Sequence, residues 1–237
     1  SLYQNNLSGK IPFQIGDLVN LVNLNLSQNQ LEGNIPAVIG KLKNLTGLNL
    51  SNNQLEGNIP YEFENLENIR VLHLYSNVLT GAIPGGLGKL IQAKDMSLAK
   101  NQLTGNIPVE LGSLLQLERL MLQENQLSGT IPAELGNLTK LISLNLLGNN
   151  IEGTIPEELG SLANLENFWL ADNRLTGKIP PNLGNLTNLA HLSIHHNKLS
   201  GSIPQELGDF LNLTNFSVND NHITGTIPPE LGKLAKL

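Results

Sequence analysis

An asparagine recurs at 5, 29, 53, 77, 101, 125, 149, 173, 197 and 221, every interval being 24 residues without insertion or deletion. An Ile-Pro pair follows each of these asparagines at a fixed distance, from Ile11-Pro12 to Ile227-Pro228, and a glycine lies four residues after each, from Gly9 to Gly225. A unit this short cannot enclose a core of its own. It must bury its apolar face against its neighbours, so the chain is expected to stack its units into a solenoid. One unit reads Leu21-x-x-Leu24-x-Leu26-x-x-Asn29-x-Leu31-x-Gly33-x-Ile35-Pro36-x-x-Ile39-Gly40-x-Leu42. Leu24-x-Leu26 has the period of two of a strand with both leucines on one face, and stacking such strands gives a parallel sheet. The asparagine after the strand is expected to be buried, its amide serving the backbone of the adjacent turn, because buried polar groups need partners. Proline, with fixed φ and no N–H, opens the return segment. Gly16, Gly40, Gly88 and Gly112 read as the ends of short helical turns.

The run Asn125-Gln126-Leu127-Ser128-Gly129-Thr130-Ile131-Pro132-Ala133-Glu134-Leu135-Gly136-Asn137-Leu138 resembles the plant-type leucine-rich repeat, and the resemblance extends over the whole chain. It implies an α/β repeat solenoid: a right-handed leucine-rich-repeat superhelix with a concave parallel β-sheet and short 3₁₀ or helical turns on the convex side. Residues 1–237 would form a single solenoid of about ten repeats. The family includes receptor-like kinase and receptor-like protein ectodomains and secreted polygalacturonase inhibitors, and similar repeats occur in algae, other protists and some bacteria. The chain departs from the pattern in several places. Family ectodomains usually carry paired cysteines in terminal caps, and this chain has no cysteine. It begins inside a strand and ends at the first leucine of the next, so caps are expected outside this sequence, or another chain over the ends. Ala93 and Met96 stand where other repeats have leucine, and Glu64 stands where they have glycine.

Charge narrows the function. Lys and Arg number 14 against 20 Asp and Glu, a formal charge of -6, which argues against nucleic acid and against anionic membrane surfaces as partners. The absence of cysteine excludes disulfide frameworks, cysteine-based zinc sites, iron–sulfur clusters and thiol catalysis. No apolar run approaches the ~18–20 residues of a membrane span, so no membrane insertion is expected within this segment. No loop has the pattern of a phosphate cradle, and Ser193 and His191 lie along one strand without an elbow. Neither an enzyme nor a cofactor is expected.

Function is then sought on the variable strand positions. Residues 24 apart are lateral neighbours, ~4.8 Å from strand to strand. One row reads Asn25, Asn49, His73, Ser97, Met121, Asn145, Trp169, Ser193, Ser217; the next reads Ser27, Ser51, Tyr75, Ala99, Gln123, Leu147, Ala171, His195, Asn219. The face is small and polar at its ends and diverse in the middle, where the sole tryptophan lies. A tryptophan beside apolar groups on a polar face has the composition of a recognition site; the alternative is that Trp169 packs on Met121 across Asn145 with no partner. The candidate ligand-binding residues are Arg70, His73, Tyr75, Met121, Gln123, Asn145, Leu147, Trp169 and His195. Lys94 with Glu118, Asp95 with Arg119 and Lys100 with Glu124 read as register-supporting pairs, leaving Arg70 as the cation freest for an acidic ligand. His196 is flanked by Asp172 and Asp220, with His195 and His191 nearby, but no metal is expected because a flat sheet face rarely closes a coordination sphere. Of eight Asn-x-Ser/Thr sequons, Asn6, Asn44, Asn137, Asn185 and Asn212 are the glycosylation candidates, whereas Asn25, Asn49 and Asn215 point into the concave face. The chain thus reads as an extracellular or cell-surface module that binds a peptide or protein, with a co-receptor as a further partner implied by the resemblance. A structural subunit of a larger assembly and an ice- or glycan-binding surface are the alternatives.

Overall fold

The computed structural model describes residues 1–237. Nine three-residue strands, from Asn23–Asn25 through Gly47–Asn49, Val71–His73 and so on to Asn215–Ser217, pair in chain order into one parallel sheet. Its register is the 24-residue spacing: Arg119 lies opposite both Asp95 and Ser143. The two leucines of each strand turn inward, as Leu120, Leu122, Leu144 and Leu146 do, and are fully buried. Phe168 occupies a leucine position without disturbance, and Ala93 and Met96 are also fully buried, so the irregular repeat keeps its core. All these side chains belong to one continuous cluster of 57 buried residues, so the units share a core and none stands alone.

Each turn returns through a five-residue 3₁₀ segment, ten in all, from Phe13–Asp17 to Pro229–Lys233. The preceding proline supplies the entry conformation (Pro36, φ -66° and ψ 126°), and its carbonyl accepts the first bond of the turn, from Ile39 N–H at 3.1 Å.

The asparagine ladder forms as the sequence implies. Asn125 is nearly buried; its Nδ2 donates to the carbonyls of Leu98 and Leu122, both at 3.1 Å, and its Oδ1 accepts from Leu103 N–H at 3.0 Å. The residue before each such asparagine holds a left-handed backbone, Asp172 at φ 54° and His196 at φ 48° among them. This kink swings the chain off the main sheet.

Beyond the kink the structure departs from the sequence reading in two ways. A second set of parallel ladders forms, over Ser8–Lys10, Gln30–Asn34, Gln54–Asn58 and Val78–Thr80 at one end and in shorter pairs further on. Here the lateral offset is 22 residues, as in Ser8 opposite Gln30 and Gln126 opposite Thr104. The glycines at 40, 88 and 112 are not left-handed caps either. They lie inside the 3₁₀ segments, and a Cβ on Gly112 would come within 2.5 Å of the Glu134 carbonyl oxygen in the next turn. Close approach of successive turns is what requires glycine there. Glu64 escapes the requirement because its lateral partner is Gly86: the missing side chain has moved across to the neighbouring turn. Glu64 then pairs with Lys89 at 3.0 Å.

Candidate functional site

On the outward, concave face of the main sheet the register aligns His73, Ser97, Met121, Asn145, Trp169 and Ser193 strand by strand. Trp169, at the end of the strand Asn167–Trp169, is half-buried and stacks on no other ring. Asn145 and Ser193 flank it directly, and Met121 lies two strands away. Leu147 and His195, in the adjoining row, are also half-buried, whereas Ala99 and Ala171 in that row are buried. Asn25 and Asn49 saturate their Oδ1 atoms on the backbone N–H and hydroxyl of Ser27 and Ser51 at 2.7–3.0 Å. At Asn145, where leucine replaces that serine, only the backbone bond from Leu147 remains, at 3.1 Å. Gln123 carries a buried side-chain oxygen with no hydrogen-bond partner.

Toward the N-terminal half the face becomes charged. His73 and Tyr75 meet edge to face with ring centroids 5.8 Å apart. His73 Nε2 lies 3.2 Å from Asp95 Oδ1, and Asp95 Oδ2 accepts from Arg119 Nε at 2.8 Å. The Asp95–Arg119 pair follows from the 24-residue rule; the His73–Asp95 contact is a diagonal one that row reading passes over, although diagonal neighbours are within reach of long side chains. Burial pushes the Asp95 carboxyl up, but the hydrogen bonds and charges of His73 and Arg119 together outweigh it and hold the group below its ordinary value. Lys94 with Glu118 at 2.9 Å and Lys100 with Glu124 at 3.6 Å complete the expected pairs. Arg70 is exposed and takes part in none of the ion pairs. It borders a groove of about 590 Å³ lined also by Asn25, Gly47, Asn49, Val71 and His73. The sequence signal for this groove is Gly47, a missing side chain within a strand.

The histidines of the C-terminal half fall into two groups. Ser193 Oγ lies 3.0 Å from His195 Nδ1, the next histidine along the chain from His191. His196 is held between Asp172 (Nδ1 to Oδ1, 2.9 Å) and Asp220 (Nε2 to Oδ2, 3.0 Å). Among the sequons, Asn6, Asn44, Asn137 and Asn185 are exposed, whereas Asn212 is half-buried and donates to Thr187 O at 3.0 Å.

Parallel strands of the Leu-x-Leu type, an asparagine ladder and 3₁₀ returns define a leucine-rich-repeat solenoid. Residues 62–216 match the family described as leucine-rich repeat region, and residues 20–42, 44–66 and 212–234 match single leucine-rich repeats, so the chain belongs to the leucine-rich repeat family. No curated protein matches the chain by sequence. Among solved structures, a TDR receptor superposes with a TM-score of 0.96 at 36% identity, covering 98% of this chain and 40% of its own. The Arabidopsis receptor kinase HAESA, in complex with the peptide hormone IDA and the co-receptor SERK1, superposes with 0.91 at 34% identity, covering 99% and 40%. A plant ice-binding protein superposes with 0.83 at 34% identity, covering 96% and 73%. The chain thus spans about two fifths of the length of the two receptors it resembles. The ectodomain fold is one typical of binding proteins, and no helix of the structure is long and apolar enough to cross a membrane.

Proposed function

We propose that the chain is the ligand-reading part of an extracellular receptor-like or inhibitor-like protein, and that it binds an extended peptide or a protein segment across the strands of its concave face. The observation that carries this reading is Trp169: a half-buried indole outside the leucine core, flanked by Asn145 and Ser193, with the charged Arg70–Asp95 region on the same face. An aromatic anchor with hydrogen-bonding neighbours is the composition of an interface hot spot. Arg70, His73, Tyr75, Met121, Gln123, Leu147 and His195 supply the remainder of the surface. The likeness to receptors such as HAESA, crystallised with a peptide hormone and a co-receptor, supports a peptide as ligand and a second protein as further partner. Glycans on Asn6, Asn44, Asn137 and Asn185, with Asn212 a more enclosed acceptor, would leave the central face open.

Display of a random peptide library on the purified chain tests this reading. Selected peptides are expected to lose ~2 kcal/mol or more of affinity on Trp169→Ala, and nothing on Lys178→Ala beyond the kink. Peptides indifferent to Trp169 but sensitive to Lys178 or Glu157 would rule out the concave site.

The likeness to an ice-binding protein supports a second reading, ice binding, which needs a regular array of hydroxyls. Thr130, Thr154 and Thr226 occupy equivalent positions in their repeats, but Lys178 interrupts the series. Thermal hysteresis of the purified chain distinguishes the two readings, and none is expected.

A further inference from the structure

We propose a divalent transition-metal site of the zinc type at the kink that follows the strand His191–Ser193, built by Asp172, His195 and His196. Each of the three can present a donor atom such that all three atoms lie within 4.8 Å of one another. Donor atoms ~2.0–2.1 Å from a tetrahedral zinc stand roughly 3.3 Å apart. His196 Nδ1 and Asp172 Oδ1, at 2.9 Å, stand as a hydrogen-bonded pair a few tenths of an ångström closer than a shared zinc would hold them, so the metal would replace the proton between them as the pair opens and the His195 ring closes in. Two imidazoles with one carboxylate are donors that zinc, nickel and copper accept and that calcium and magnesium do not favour.

The sequence reading discounts a metal because a sheet face is flat. The structure places Asp172 and His196 off the sheet, on left-handed residues at the rim, where the chain turns and side chains of successive turns converge. That backbone is fixed on both sides: Asp172 N–H donates to His195 O at 3.1 Å, and His196 N–H to Asn219 O at 3.0 Å. Both histidines also have a partner for their second nitrogen. His196 Nε2 lies 3.0 Å from Asp220 Oδ2, and His195 Nδ1 lies 3.0 Å from Ser193 Oγ, an arrangement that leaves His195 Nε2 free to ligate when Nδ1–H donates to the serine. A ligating histidine whose other N–H is held by a carboxylate or other acceptor is the usual support of a metal site, because it fixes the tautomer and raises basicity. Asp220 is in turn bonded by the side-chain amide of Asn219. Three protein donors leave the fourth tetrahedral position open to water or to an outside donor.

The site does not depend on the peptide reading, and zinc alone is the probe. Isothermal titration of the whole chain with zinc chloride is expected to show one site per chain of micromolar or tighter affinity. Asp172→Asn and His195→Ala should abolish it, and Asp220→Asn should weaken it by about 10–100-fold. Trp169→Ala and His191→Ala should leave it unchanged, so loss of peptide binding and loss of zinc binding separate. Thermal melts without metal check that each variant is folded. The proposal is overturned by an absence of heat at millimolar zinc, by binding that survives His195→Ala in a folded protein, or by binding that follows His191.

Discussion

Asn125 shows how much one side chain does in this fold. It closes its own turn through Leu122 O, reaches the preceding turn through Leu98 O, and takes the N–H of Leu103. Leucine has a similar volume but cannot bond, so Asn125→Leu leaves the buried Leu103 N–H bare, at ~1–3 kcal/mol, and takes one of two amide bonds from Leu98 O and from Leu122 O, which keep Asn101 and Asn149. Gln126, one residue on, is exposed. Urea unfolding should therefore show a large loss for Asn125→Leu and almost none for Gln126→Ala; equal midpoints would refute the ladder argument. Asp95 makes a second residue-scale case. Its carboxyl is held below its ordinary value, against burial, by His73 and Arg119. A depressed carboxyl contributes stability that is present above its unfolded pKa of ~3.9 and is lost as pH falls through the folded value. The acid limb of the stability curve should accordingly flatten in Asp95→Asn. If wild type and Asp95→Asn lose stability in parallel between pH 5 and the acid end, the coupling to His73 and Arg119 does not stabilise the fold.

At the scale of elements, the strand and the 3₁₀ segment follow different spacings, and this divides what the sequence reveals from what it hides. Leu-x-Leu and the 24-residue period make the main sheet, its register, the asparagine ladder and the Trp169 row readable directly, because lateral neighbours there are the residues that repeat. Past the left-handed kink the neighbours are 22 apart. Rows written at 24 therefore miss the second ladders, the reason for Gly40 and the pairing of Glu64 with Gly86. His73–Asp95 and Ser193–His195 are hidden for another reason: they are diagonal or same-strand contacts that depend on side-chain rotamers. The Gly86 compensation can be tested. A Cβ there would lie 2.9 Å from Glu64 Cβ, an atom tied to backbone, whereas a Cβ on Gly85 would lie 3.1 Å from the flexible end of Glu110. Gly86→Ala should cost ~1–3 kcal/mol as overpacking and Gly85→Ala much less. Adding Glu64→Gly to Gly86→Ala should recover most of the loss, a coupling that a double-mutant cycle reads directly. Additive effects would show that the two turns do not compensate each other.

The whole molecule sets the geometry of recognition. Nine strands at ~4.8 Å make a face roughly 38 Å long, with the apolar anchor and the free cation on it but not adjacent. Trp169 and the strand that carries Tyr75 are four strands apart, ~19 Å, and Arg70 lies at the start of that same strand. An extended peptide advances ~3.3 Å per residue, so about six residues are needed to touch both. Between them lie the Lys94–Glu118 and Arg119–Asp95 pairs, which neutralise one another and leave Arg70 as the uncompensated cation. Length and charge should therefore act together. For a selected peptide, shortening from the end that lies over Arg70 should remove the effect of Arg70→Ala while keeping that of Trp169→Ala. The Arg70 contribution should also fade with added salt, since an exposed pair is screened within ~10 Å at 0.1 M, whereas the Trp169 contribution should not. Affinity measurements over a truncation series at two ionic strengths make the comparison, and a three-residue peptide sensitive to both substitutions would be incompatible with a ligand running across the strands.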